Sequence, residues 1–225
     1  MRSILIGCFL VLTAMPALAD GDQPIDALRK GVEAGLQILK DPELNVPERK
    51  NAQLQQLRII LEQLFDFQEF SRQVLASNWK DFTPAQREAF VRVFTEFLGK
   101  FYMGKLQEKY KNESLIYVGQ EMKSAARALV STKVVWKGQE IPVDLGMIKR
   151  RGLWKVYDIQ VLGISAVRNY RAQFKSLLSK ESPAQVIKRM QERIREIDST
   201  KEIGSVPQSI QRLTSSIQTE YHRFN

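Results

Sequence analysis

The sequence predicts an α+β protein, a twisted antiparallel sheet wrapped by helices, and three observations predict it. Apolar residues recur at helical spacing from Pro24 to about Lys111. The period then falls to two as far as Val161, and returns to helical spacing from Ile164. Helices are thus grouped before and after the strands rather than alternating with them, which is the α+β arrangement. A curved sheet covered in this way makes a cone with an apolar interior, which can close on itself or enclose a ligand.

Four helical segments come first. Pro24 to Leu39 carries Ile25, Leu28, Val32, Leu36 and Leu39 at helical spacing, and Pro47 opens a second segment with Leu54, Leu57, Leu61 and Leu64 on one face. Asp66, three residues before Glu69, can cap a third that bears Phe67, Phe70, Val74 and Leu75. Thr83-Pro84-Ala85-Gln86 combines a cap residue, proline at the first helical position and Gln at N3. The helix it starts places Phe90, Phe94, Phe97, Leu98, Phe101 and Tyr102 along one face, an aromatic wall that reads either as core or as the lining of a cavity.

Past Lys111 the pattern alternates. Ser114–Gly119 is short and apolar, and Arg127–Trp136 puts Ala128, Val130, Thr132, Val134 and Trp136 on one face. Lys137-Gly138 reads as a tight turn. Ile141, Val143, Leu145 and Met147 then repeat every second residue, with Pro142, Asp144 and Gly146 opposite. Pro142 suggests an edge position or a bulge. Lys149-Arg150-Arg151-Gly152 is a second turn, leading into Leu153–Val161. Gly163 ends the sheet. A helix follows with Ile164, Val167, Tyr170, Phe174, Leu177 and Leu178. Ser182-Pro183-Ala184-Gln185 repeats the capped start, for a helix carrying Val186, Met190, Ile194 and Ile197. Residues 199–225 are polar and form a separate, partly mobile tail in this reading, with a weak amphipathic stretch at Ile210, Leu213, Ile217 and Tyr221.

The N-terminus reads as an export signal spanning residues 1–19. Arg2 supplies the positive start, Ile4 to Leu12 the apolar run, and Ala17-Leu18-Ala19 the small-residue cleavage site. Leu5-Ile6-Gly7-Cys8 resembles a lipoprotein box, but it lies too close to the charged start for an apolar segment to precede it. Cleavage removes Cys8, the only cysteine, and leaves one histidine, His222. It also lowers the net charge of +9 by one, through loss of Arg2. A basic exported chain makes nucleic acid a poor partner and anionic lipid surfaces a better one, although a charged, solvated surface explains the same composition.

Chemistry is sparse in what remains. Hydrolytic triads need a positioned base, and the one histidine lies in the tail. Zinc sites need His or Cys clusters, and dinucleotide or P-loop sites need glycine patterns absent here. Asp144 and Asp158 fall in strand segments, where paired carboxylates could cleave glycosides, but acids in such positions are more often solvated or ion-paired. The reading is of a protein that is not an enzyme and needs no cofactor or metal.

Several segments together carry a resemblance: Phe67-Gln68-Glu69-Phe70-Ser71-Arg72-Gln73-Val74-Leu75, Asn78-Trp79, Thr83 to Phe90, Trp154-Lys155-Val156-Tyr157-Asp158-Ile159, Gly163-Ile164-Ser165 and Asn169 to Phe174. In this order and spacing the chain resembles the MlaC/Ttg2 family of toluene-tolerance or phospholipid-shuttle proteins, over about Asp22 to Ile197. The resemblance implies a lipid-binding domain over residues 20–198, with the sheet-and-helix fold of nuclear-transport-factor-2 (NTF2-like) proteins and acyl chains held between sheet and helices. It also implies a soluble periplasmic carrier whose cargo is phospholipid. Its implied partners are an inner-membrane ABC transporter complex with a membrane-anchored substrate-binding subunit and an outer-membrane lipoprotein/porin complex. A hopanoid-associated branch shares the fold, so the cargo could differ; a non-lipid envelope adaptor is the other reading.

The residues themselves support a carrier physically. Burial of an acyl chain is favourable by about 0.8 kcal/mol per CH2, so a carrier needs an extensive apolar lining. The Ile141, Val143, Leu145 and Met147 stripe, extended by Val130 and Val134 and facing Phe97, Phe101 and Tyr170, is the candidate lining. Lys149, Arg150 and Arg151 could steer the mouth toward anionic lipid or an acidic partner, or form a solvated turn.

Overall fold

Side-chain caps start three of the helices where their sequences place them. A computed structural model describes residues 23–109 and 113–203 of the chain. The signal at 1–19 with Cys8, and most of the 199–225 tail with His222, lie outside these residues. Asp66 Oδ1 accepts from Glu69 N at 2.8 Å and opens α3, Phe67–Leu75. Thr83 and Gln86 bond reciprocally, at 2.9 Å and 3.2 Å, at the start of α4, Pro84–Lys109. Ser182 and Gln185 do the same before α6, Pro183–Ile203, a helix that runs past the expected boundary at 198. The remaining helices are α1, Pro24–Lys40; α2, Lys50–Leu64; and α5, Ala166–Leu178. None of the described helices is long and apolar enough to cross a membrane.

Five antiparallel strands lie in chain order in one sheet: β1, Ser114–Ser124; β2, Arg127–Trp136; β3, Gln139–Arg150; β4, Leu153–Val161; and β5, Ile164–Ser165. The α+β class is as the sequence predicts. Three of the connections are two-residue turns, Lys137-Gly138, Arg151-Gly152 and Leu162-Gly163, with positive φ at both positions. That is the type I′ geometry that matches strand twist, and the second position uses glycine each time. β1 is longer than its apolar run suggests, because it continues past a bulge between Tyr117 and Gly119.

Pro142 corrects one expectation. It lies in β3, an interior strand, with no bulge beside it. Its carbonyl accepts from Leu162 N at 3.1 Å, just past the end of β4, so its ring nitrogen also faces the side where the ladder has run out. The missing N–H therefore removes no ladder bond.

The described residues form three apolar clusters. The largest joins α3, α4, α5 and α6 through Phe70, Phe90, Phe94, Phe174 and their neighbours. Its rings meet edge-on, with centroids 5.1 Å apart for Phe90–Phe174 and 5.2 Å for Phe94–Phe174. The second joins α1 to one sheet face, with Leu28 packed among Val130, Met147 and Val156. A small third cluster, Leu39 with Leu57, fastens α1 to α2. Leu64 also lies against Gly31 so closely that a Cβ there would be 2.8 Å from its Cδ1.

A buried carboxylate ties the helical cluster to the sheet. Glu69, 1% exposed, accepts from Arg72, from Gln73 at 2.9 Å, from Arg127 of β2 at 3.0 Å and from Arg150 of β3 at 2.7 Å. Arg150 also pairs with Asp66 at 2.7 Å. Burial pushes the Glu69 carboxyl up, but the donors and charge of Arg72, Gln73 and Arg127 outweigh it and hold the pKa at about 2. A second tie is Asp158 of β4, which accepts from Ser165 Oγ at 2.6 Å and Val167 N at 3.0 Å and so fixes the start of α5.

Two predictions follow from these ties. Because the Glu69 pKa lies below its usual 4.5, its stabilisation is complete above that pH and is lost as pH falls toward 2. Glu69→Gln is therefore expected to lower stability by about 3 kcal/mol at neutral pH and to flatten the acid limb of stability against pH, measured by denaturant unfolding. On the edge strand, Gln120 of β1 holds the start of α1: it accepts from Ile25 N at 2.8 Å and donates to Gln23 at 2.8 Å. Gln120→Ala is expected to speed amide exchange in the first turn of α1 about ten-fold while leaving β2 and β3 protected.

Candidate functional site: an apolar sheet face that emerges from beneath α1

Register places the apolar stripe on one face. Across β2 and β3, Ala128 lies opposite Met147, Val130 opposite Leu145, Thr132 opposite Val143 and Val134 opposite Ile141. β4 continues the rows with Val156, Ile159 and Val161, and β1 adds Leu115 and Tyr117. The only polar side chain in the β2 row between Ala128 and Val134 is Thr132, and its hydroxyl is satisfied by donating to Val143 O at 2.7 Å. The face therefore stays apolar along its length without an unpaired polar group.

Burial grades along this face. Val130, Leu145 and Met147 are buried, with Val130 at 0% exposure. Val134, Ile141 and Val143, toward the Lys137-Gly138 turn, are half-buried. The cover over the buried end is α1, which contributes Leu28 with Ile25, Ala27 and Val32. Arg29 and Glu33 of α1 flank Tyr117; Arg29 lies 4.9 Å from its ring centroid. Burial, then Glu33, push the Tyr117 phenol above its ordinary value against the opposing pull of Arg29, so it is neutral at physiological pH.

The aromatic wall lies elsewhere. Phe97, Phe101 and Tyr170 pack within the cluster of α3, α4, α5 and α6, not against the stripe. Phe97 stacks on Phe101 with centroids 6.0 Å apart, and Tyr170 meets Phe94 edge-on at 5.2 Å. Its hydroxyl lies 3.0 Å from that of Tyr102, and burial pushes its phenol far above the usual range. The nine residues chosen from the sequence thus fall into two groups, six on one sheet face and three in a helical core. Helical spacing showed that the rings share a face; it carried no information about which layer that face meets.

Three further readings can now be placed. Asp158 is occupied as the anchor of α5, accepting from Ser165 Oγ and Val167 N. Arg150 is committed to Asp66 and Glu69, so the Lys149–Arg151 turn is in part a structural clasp. A cleft of about 340 Å³ opens between α2, the start of α3, α4 and α6. Its walls mix the apolar Leu54, Leu61 and Phe67 with paired charges, Arg58 with Glu62 at 2.7 Å and Lys100 with Asp198 at 2.5 Å, and it is lined by helices and not by the sheet face. Sequence reasoning did not anticipate the part played by Glu69 or Gln120. An Asp-x-x-Glu cap signature accounts for one bond of Asp66, but nothing local announces that two strand-end arginines converge on Glu69.

Comparison with known proteins agrees with this architecture. A family model described as MlaC protein matches residues 29–192. A toluene tolerance protein, ttg2D of Pseudomonas putida, is 28% identical over 171 residues, covering 75% of this chain and 79% of that protein. A phospholipid-binding protein from Ralstonia solanacearum, solved in complex with a phospholipid, superposes with a TM-score of 0.68 at 22% identity, covering 79% of this chain and 99% of that one. A sheet whose apolar face runs out from beneath a helix, joined to a helical bundle through Glu69, is thus this chain's version of a shared fold, and the chain belongs to the MlaC family.

Proposed function

We propose that this protein is a periplasmic lipid carrier that holds the acyl chains of a phospholipid against the apolar sheet face. The observation that carries this reading is the graded face itself: sealed beneath α1 at Val130, Leu145 and Met147, and half-open at Val134, Ile141 and Val143. An acyl chain entering at the half-open end would meet only apolar groups along β2 and β3. Its path would continue under α1, whose first turn is held by two solvent-exposed hydrogen bonds of Gln120 that can break at low cost. Phe97, Phe101 and Tyr170 serve as the rigid bundle behind the sheet rather than as lining.

Family membership and the phospholipid held by the Ralstonia neighbour support the cargo class. In this reading the carrier exchanges lipid between an inner-membrane ABC transporter complex and an outer-membrane lipoprotein/porin complex. It works by burial rather than bond-making, which makes no demand for a nucleophile, metal or cofactor. Branched aliphatic and methionine side chains adapt to mixed chain lengths, so recognition rests on apolar area rather than on a shaped slot.

Organic extraction of protein purified from its own periplasm, followed by mass spectrometry, is expected to release phospholipid in near-stoichiometric amount. Protein that is lipid-free and also fails to take up added phospholipid refutes the proposal, and a hopanoid in the extract reassigns the cargo. Val143→Trp fills the half-open end and is expected to lower bound lipid at least about five-fold while shifting Tm by only a few degrees. Val130→Trp, at a sealed position, is expected instead to cost about 1–3 kcal/mol of stability through overpacking.

A further inference from the structure

The two ends of the sheet differ in charge; exposed apolar side chains occur at both, with Leu162 at 40% exposure in the β4–β5 turn, but the most exposed at either turn-bearing end is Leu153. The β1–β2 and β3–β4 turns share one end: Arg127 lies opposite Ile148, and Lys149 N donates to Ala126 O at 2.9 Å. Strand spacing sets the two apices about 10 Å apart. The apices themselves are Ala125-Ala126, small and uncharged, and Arg151-Gly152, which carries one cation. Beside them stand two large apolar side chains in solvent, Met122 at 47% and Leu153 at 64% exposure.

Behind these apices lies a basic collar. Arg72, Arg127 and Arg150 surround Glu69 and Asp66, so three guanidiniums face two carboxylates and one positive charge is left over. All three are partly exposed, at 47%, 36% and 51% of their side-chain surface. Each side chain therefore keeps part of its surface toward solvent while its guanidinium, a five-donor group, holds Glu69. Arg151 is exposed and adds a charge with no ion-pair partner among the described residues. At the opposite end Lys133 is neutralised by Glu140 at 2.7 Å.

We infer that the end of the sheet formed by the β1–β2 and β3–β4 turns docks on an anionic lipid bilayer, with Leu153 and Met122 entering the headgroup layer and the arginine collar facing lipid phosphates. Two weak signals act together here. Exposed apolar side chains gain area only where they leave water, and cations gain only near an anionic surface. Single protruding side chains on strand ends beside narrow turns suit insertion among mobile headgroups, whereas a rigid protein partner would require a broad, complementary patch. The inference builds on the carrier reading by naming how the carrier meets a membrane, and it leaves the half-open end of the apolar face turned away from the contact.

The test is co-sedimentation of the purified full-length protein with vesicles of phosphatidylethanolamine and phosphatidylglycerol, against vesicles of phosphatidylcholine. Binding is expected to the anionic vesicles only, and to be largely lost at about 0.5 M salt. Arg151→Asn is expected to weaken binding about five-fold, and Leu153→Ser to weaken it further. Lys137→Asn is the control: it removes one charge from the equivalent position of the turn at the opposite end, and Asn-Gly favours the same turn. It is expected to leave binding unchanged. No binding, equal binding to both vesicles, or equal losses in Arg151→Asn and Lys137→Asn would overturn the inference. The lipid content of each variant, measured by extraction, separates the two readings: cargo without vesicle binding refutes the docking surface alone, and vesicle binding without cargo refutes the carrier alone.

Discussion

Glu69 accepts hydrogen bonds from one glutamine and three arginines that come from three different elements. That convergence joins a helical bundle, whose core is aromatic, to a sheet whose core is aliphatic. The bundle and the sheet face share none of their buried apolar residues, and polar contacts run between them: Glu69 with Arg127 and Arg150, Asp66 with Arg150, and Asp158 with Ser165 and Val167. A buried carboxylate is costly alone and acceptable only when its lone pairs are filled, as they are here. The same network leaves a partly exposed ring of arginines at one end of the sheet, so one structural device also shapes the surface charge.

The separation into two cores has a functional consequence. A carrier must admit cargo without unfolding. If stripe and wall formed one interdigitated core, parting them would sacrifice the main source of stability. In the proposed carrier reading, the stripe is covered by α1 while the rings of α4 and α5 fasten to one another, so parting α1 from the stripe would leave the bundle's own contacts in place. Glycine supports the arrangement where elements approach closely: Gly31 lets α1 lie against Leu64, and Gly146 leaves room for the ring of Tyr157, whose Cζ would be 3.1 Å from a Cβ there. Tyr157 in turn carries Arg127 on its ring, 5.0 Å from the centroid, and so returns to the Glu69 network.

Much of the local architecture was legible beforehand. The caps at Asp66, Thr83 and Ser182, the turns at Lys137-Gly138 and Arg151-Gly152, and the membership of the stripe from Ala128 to Met147 all rest on contacts between residues near in sequence or on simple alternation. The place of Pro142 is not legible locally, because proline in a strand signals only an absent N–H, and an interior strand accommodates one where its neighbour stops short. Phe97, Phe101 and Tyr170 read as lining from the sequence because a greasy helix face and a greasy sheet face are natural partners. The structure pairs that helix face with other helices instead, through Phe70, Phe174 and Met190.

The sequence by itself determined the α+β class, the order of elements, the helix starts, the tight turns and the polarity of the sheet faces, because these follow from periodicity and from bonds spanning a few residues. Only the tertiary structure decided which helix covers the stripe, where along it burial gives way to exposure, and that Arg127 and Arg150 meet on Glu69. Those outcomes depend on contacts between residues far apart in the chain, 58 and 81 positions for the two bonds to Glu69 and 95 for Gln120 with α1. At such separations the pairing is chosen by the global packing of complementary surfaces, for which neither spacing nor local propensity carries a signal.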